Sequence, residues 1–195
     1  MKIGYYVQGA MDEAFVWGLA KRWCPHAGLA VGAFRGSSRV SFRREIEKAL
    51  LDLHDAKGCD VLVVLTDSDA NPWREVRQRE FAEVPTTCQH LCIFGVAERN
   101  VECWLAIDRR QLAAQLGCQP HEIPTDDPSG FVKRRFRMGE RDEEKEAAKA
   151  RVREFVASVR VKPWIDGSDS FASFYDDAHR LSVQLECQMP NERDR

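Results

Sequence analysis

Acidic residues in this chain collect where a metal ion would need them. Asp67 and Asp69 close the run VLTDSD, two positions apart. In an extended strand, residues i and i+2 point the same way. The two carboxylates therefore face one spot if the strand persists to Asp69. Two neighbouring carboxylates repel, and a hard divalent cation such as Mg2+ or Mn2+ is the usual way to hold them together. The same residues also suit a turn and a cap ahead of Asn71-Pro72, so the pair alone does not separate metal binding from capping. Asp12 and Glu13 follow Gln8-Gly9 at the close of an apolar N-terminal run, and Glu98 and Glu102 follow HLCIFGVA.

Positioning these acids requires a sheet. Lys2–Gln8 reads as a first strand, with a helical pattern from Met11 to Trp23. Leu29–Phe34 reads as a short second strand. Phe42–Lys57 carries Ile46, Leu50 and Leu53 at helical spacing. Asp60–Leu65 and His90–Val96 hold continuous apolar runs, the mark of strands buried on both faces of a parallel sheet. Asn71 with Pro72 predicts a helix start, and Val101–Leu116 reads as one helix ended by Gly117. Strands and helices alternate, which predicts an α/β fold with a mostly parallel central sheet flanked by helices. Sites in such sheets form beyond the C-terminal strand ends, where these acids fall. After Gly117 the texture changes: Pro120, Pro124, Pro128 and Gly130 mark a long loop. A charged helix over Glu140–Val159 and a last helix over Ser170–Cys187 follow.

The 195 residues allow one good core, with 44% hydrophobic and 31% charged residues. No apolar run approaches a membrane span, and the N-terminus lacks signal-peptide texture. Seven scattered cysteines (Cys24, Cys59, Cys88, Cys92, Cys103, Cys118 and Cys187) fit reduced thiols and a cytoplasmic location better than a disulfide framework. Cys88 and Cys92 lack the partners of a zinc site. The net charge of −2 gives no global attraction to nucleic acid. Such contacts would need local patches: Arg35, Arg39, Arg43 and Arg44, or Lys133, Arg134, Arg135 and Arg137.

VQGAMDEAFV followed by VLTDSD resembles the TOPRIM (topoisomerase–primase) pattern, whose first strand ends in Glu-Gly and a later one in Asp-x-Asp. In the overcoming-lysogenization-defect nucleases the first motif extends to Glu-Gly-x-x-Asp, the spacing of Gln8-Gly9-Ala10-Met11-Asp12. VECWLAIDRRQLAAQLG looks like the Glu-x-Trp-Leu-x-x-Asp stretch of a family of small TOPRIM-like proteins encoded beside ABC-type ATPases in anti-phage defence loci. PHEIPTDDPSGFVKRRF is comparable to that family's downstream proline-rich stretch. The likeness spans residues 3–137.

The resemblance implies a TOPRIM-like domain over residues 1–137 and a helical extension over 138–195 packed on it. It implies a nuclease acting on DNA or RNA, tRNA included, as the toxic effector of a defence system with an ABC-type ATPase partner. A homodimer is also open. Asp12, Asp67 and Asp69 would be ligands for Mg2+ or Mn2+. Glu102 would be a second-site ligand or a structural acid, and Lys133 would neutralise phosphate charge. Six residues of helix turn through about 600°, so Glu102 and Asp108 point about 120° apart. Glu102, at the helix start, is favoured for the site, and Asp108 is read as a solvated or capping residue.

The chain departs from the family at Gln8, where the family has glutamate. A neutral amide is a poorer ligand for a hard cation and no general base. Three explanations stay open: a degenerate, non-catalytic module; chemistry surviving on Asp12, Asp67 and Asp69; or a glutamate-to-glutamine exchange in an otherwise active nuclease. The alternative function is a binding module docking on the ATPase. The stripe Phe171, Phe174, Tyr175, Ala178, Leu181 and Leu185 would serve as that interface or as internal core. A receiver- or flavodoxin-like small-molecule binder is a third reading, and no G-x-G-x-x-G or P-loop supports nucleotide binding.

Overall fold

The computed structural model describes residues 1–32, 39–139, 141–185, 187, 189 and 192. Four strands, β1 (Lys2–Val7), β2 (Gly28–Val31), β3 (Val61–Asp67) and β4 (Cys92–Ala97), form one parallel sheet in the order β2-β1-β3-β4. The alternating pattern thus produces the α/β architecture it predicts. β3 and β4 are buried almost end to end because helices cover both faces. Phe34 and Arg35 lie outside the described residues, as does the side chain of Arg39.

Helices α1 (Ala10–Trp23), α2 (Arg39–Leu51), α3 (Trp73–Phe81), α4 (Thr86–Gln89), α5 (Val101–Leu105), α6 (Arg109–Leu116), α7 (Ser129–Arg135), α8 (Asp142–Ser158), α9 (Lys162–Gly167) and α10 (Asp169–Gln184) complete the chain. Strand alternation sorts the core into two layers. Tyr6, Leu62, Val64, Phe94 and Val96 meet α2, α3 and α4 on one face. Ile3, Tyr5, Val63, Leu65 and Ile93 meet α1, α5, α8 and α10 on the other. No described helix is long and apolar enough to cross a membrane.

The C-terminal helices belong to this second layer. The stripe of Phe171, Phe174, Tyr175, Ala178 and Leu181 is internal core, with Leu185 partly buried beside it. α10 lies on β4 at Gly95, where an added Cβ would stand 2.6 Å from the Phe174 ring. α8 crosses α1 at Gly18, where a Cβ would meet Val156 at 2.8 Å. Trp104 is core as well, its indole N–H donating to Ser170 Oγ at 2.9 Å.

Several local expectations change. Residues 101–116 form two helices because Asp108 caps a new one: its Oδ1 accepts the Gln111 N–H at 3.0 Å. Asn71 is not the cap of α3. Its amide donates to the Ser68 carbonyl at 3.1 Å, and Pro72 stands at the cap position. The proline-rich segment contains a 3-10 turn (Pro120–Glu122) and α7. Cys24 and Cys187 form a disulfide, against the expectation of seven reduced thiols. The other five cysteines are free.

Candidate functional site

β1, β3 and β4 end at one edge, with Val7 paired to Leu65 and Asp67 to Ala97. Asp67 is the last residue of β3 and is largely covered. Asp12 sits in the first turn of α1, only 5% exposed, and its Oδ2 accepts the Gly9 N–H at 2.9 Å. That reach-back contact is a helix-capping bond, so one oxygen of Asp12 is already engaged. Glu102, on the first turn of α5, is 2% exposed. Lys133 enters from α7, half exposed, with Nζ 3.2 Å from Glu102 Oε1. The ammonium answers the carboxylate's charge without the alignment of a hydrogen bond.

Asp69 stands differently from its expected place. β3 stops at Asp67, and Asp69 turns into the left-handed region at φ 52°, so the two carboxylates do not share a strand face. Asp69 is exposed, and its N–H donates to the Arg99 carbonyl at 3.0 Å. Arg99, at φ 63°, donates its own N–H to Ser68 Oγ at 2.9 Å. The loops after β3 and β4 are thereby laced together through two non-glycine left-handed residues, an uncommon conformation that the surroundings must hold. Gln8 follows β1 directly at the same edge and is half-buried.

Of the residues singled out from sequence, Asp12, Asp67, Glu102 and Lys133 act on one another. Burial first, then the charges of Asp12, Glu102 and Asp69, push the Asp67 carboxyl up to about 9. Burial first, then Glu102, pushes Asp12 up to about 7, against the pull of the Gly9 N–H and Lys133. Burial works against the charged form of Lys133, yet Glu102 overrides it and leaves the ammonium's pKa raised. Asp12 and Asp67 hold their protons more tightly than free carboxyls, first because they are buried and then because neighbouring acids crowd them.

Do these residues fit a hard divalent cation? The donors are carboxylate oxygens, the correct chemistry for Mg2+ or Mn2+. Asp67 Oδ1 is buried with no hydrogen-bond partner, a costly condition that a cation would relieve. Among the described residues, no three His, Cys, Asp or Glu side chains already converge as a closed ligand set. On its chemistry and its orphaned oxygen, the donor set fits.

No family model, curated protein or solved structure matches the chain. The site therefore stands on its own geometry. Sequence reading passed over Ser68 and Arg99, which tie the two loops. The pattern Thr66-Asp67-Ser68, placing hydroxyls on either side of the acid, was the available signal.

Proposed function

We propose that this chain is a divalent-cation-dependent phosphodiesterase acting on nucleic acid. Asp67 and Asp12 hold the cation, with Glu102 behind them and Asp69 at the margin. The observation that carries this reading is the buried, unpartnered Asp67 Oδ1 crowded by three further carboxylates. When bound, Mg2+ or Mn2+ supplies charge to stabilise the attacked phosphate and lowers the pKa of a bound water.

The chain's own residues divide the remaining work. The Gly9 N–H fixes Asp12 Oδ2, which leaves Oδ1 as its other acceptor. Gln8 has no group that titrates near neutrality, so removing a proton from water falls to a carboxylate. Lys133, half exposed at the rim, can turn from Glu102 toward phosphate charge. The family likeness adds an anti-phage effector role, an ABC-type ATPase partner and DNA or tRNA as substrate.

A second reading is favoured by a specific observation. Lys133 on Glu102 and the Gly9 N–H on Asp12 already answer part of the cluster from within the protein. A non-catalytic module docking on an ATPase would need no more than that. Its docking surface is not the α10 stripe, which is core.

Titration with Mn2+ separates the two. The phosphodiesterase reading expects saturable binding that Asp67→Asn with Asp69→Asn abolishes. Unchanged Mn2+ affinity in that variant sinks it. Cleavage of plasmid DNA or tRNA is expected to rise in Gln8→Glu, because a carboxylate is added beside the site.

A further inference from the structure

The acidic edge adjoins a basic groove that the site itself does not use. α7 ends in Lys133, Arg134 and Arg135, with Arg137 just beyond at φ 58°. Arg134, Arg137 and Arg151 line a groove between this end and α8, floored by Met138, Gly139 and Ala147. The negative end of the α7 dipole accounts for cations gathering there. It does not account for how they are paired.

Sorting the cations by partner shows the difference. Lys133 is paired with Glu102, Arg135 with Glu122, and Arg141 with Glu144, the one acid among the described residues lining the groove. Arg151 spends its guanidinium on the Phe136 carbonyl, a neutral group, and keeps its net charge. Arg134 and Arg137 are exposed and have no ion pair among the described residues. Among the described residues that line the groove, the single acid, Glu144, is thus already answered, and three guanidinium charges remain. Arg134 follows Lys133 directly on α7, about 100° round the helix, so the groove lies on a neighbouring face of the element that carries Lys133 to the carboxylate site. Because the whole chain is at −2, a polyanion has no general reason to approach. A local row of uncompensated arginines supplies one, and guanidinium groups match phosphate oxygens in pairs.

We infer that this groove between α7 and α8 is the track for the phosphate backbone of a nucleic-acid strand, held by Arg134, Arg137 and Arg151. The inference rests on the phosphodiesterase reading, and it names where the substrate lies outside the reacting centre.

The test is anisotropy of a fluorescein-labelled oligothymidylate with the full chain in EDTA, where no ion is needed and no cleavage occurs. Arg134→Glu with Arg137→Glu is expected to weaken binding roughly tenfold or more at low salt. The slope of log affinity against log salt should shrink by about 1.4, from about 0.7 per lost single-strand phosphate contact. Arg134→Gln with Arg137→Gln should show a smaller loss in the same direction. An unchanged Tm would show that these exposed positions do not disturb folding. Arg44→Glu on α2, compared with Arg134→Glu alone, makes the same charge change elsewhere and should alter affinity less than about twofold.

Equal losses for Arg44→Glu and Arg134→Glu overturn the track, as does wild-type protein that does not bind the oligonucleotide. Competition by poly-glutamate as effective as by unlabelled oligonucleotide also overturns it, and points to an acidic protein segment instead. Failure of the metal reading appears separately, in Mn2+ titration of the Asp67 and Asp69 variant.

Discussion

The two ends of α1 treat charge in opposite ways. At its N-terminal end, Asp12 joins Asp67 and Glu102 in a buried group that one ammonium half answers. At its C-terminal end, Arg22 Nε meets the buried Glu192 at 2.7 Å and Arg22 Nη1 donates to the Ala157 carbonyl at 3.0 Å. There Tyr175 OH accepts the Glu192 N–H at 2.8 Å, and the Cys24–Cys187 disulfide joins residues 163 positions apart. The second end is paired and cross-linked; the first has charge to spare. One helix thus carries a stabilising closure at one end and, at the other, a site whose strain a ligand would relieve.

The largest expected effect lies at the closed end. Closing so long a loop restricts the unfolded chain, by about 5 kcal/mol in the entropy account. Cys24→Ser, or full reduction, should lower Tm on the order of 10 °C while leaving Mn2+ affinity intact. Thermal melts with and without reductant check this, and an unchanged Tm would remove the distinction between the ends.

Mn2+ should act next most strongly, and from the open end. A ligand at 100 times its Kd adds about 2.7 kcal/mol to stability, roughly 5–10 °C in a chain of this size. If Asp67→Asn protein gains as much, the ion is binding elsewhere.

The smallest effect is a pH slope without metal. Asp12 and Asp67 have folded-state values raised to about 7 and about 9, so folding favours their protonated forms. Their stabilising contribution is complete below about pH 4, the value in the unfolded chain. It is lost as pH rises, through about 7 for Asp12 and about 9 for Asp67. Tm of the metal-free protein should therefore fall across that window. Asp67→Asn, which is neutral throughout, should flatten the fall and stabilise the protein at pH 8 by about 1–2 kcal/mol. A melt series that stays parallel for both proteins would refute the crowding of these carboxylates.

β3 and β4 were legible because they are buried on both faces: VLVVL and CIFGV have no polar side to mislead. The break between α5 and α6 was equally written, in the Asp108-to-Gln111 cap, but the apolar period of 101–116 runs through it and masked it. Asp67 was placed at the sheet edge from sequence. The turn at Asp69 was not, since a left-handed aspartate looks like any other in a D-x-D motif. The disulfide was beyond reach: two cysteines 163 residues apart carry no local signal, and only the return of α10 along β4 brings them together.

That return has a consequence for how the protein is made. β4 is finished at Ala97, yet the helix that covers its face begins at Asp169. While a ribosome adds the intervening segment, Ile3, Val63 and Ile93 have no α10 to cover them, and the core cannot close until Leu181 has emerged. Exposed apolar surface at that stage is what drives newly made chains to aggregate. A stop codon or a stalled ribosome before Asp169 should therefore yield an insoluble fragment, although every carboxylate of the candidate site would already have been translated.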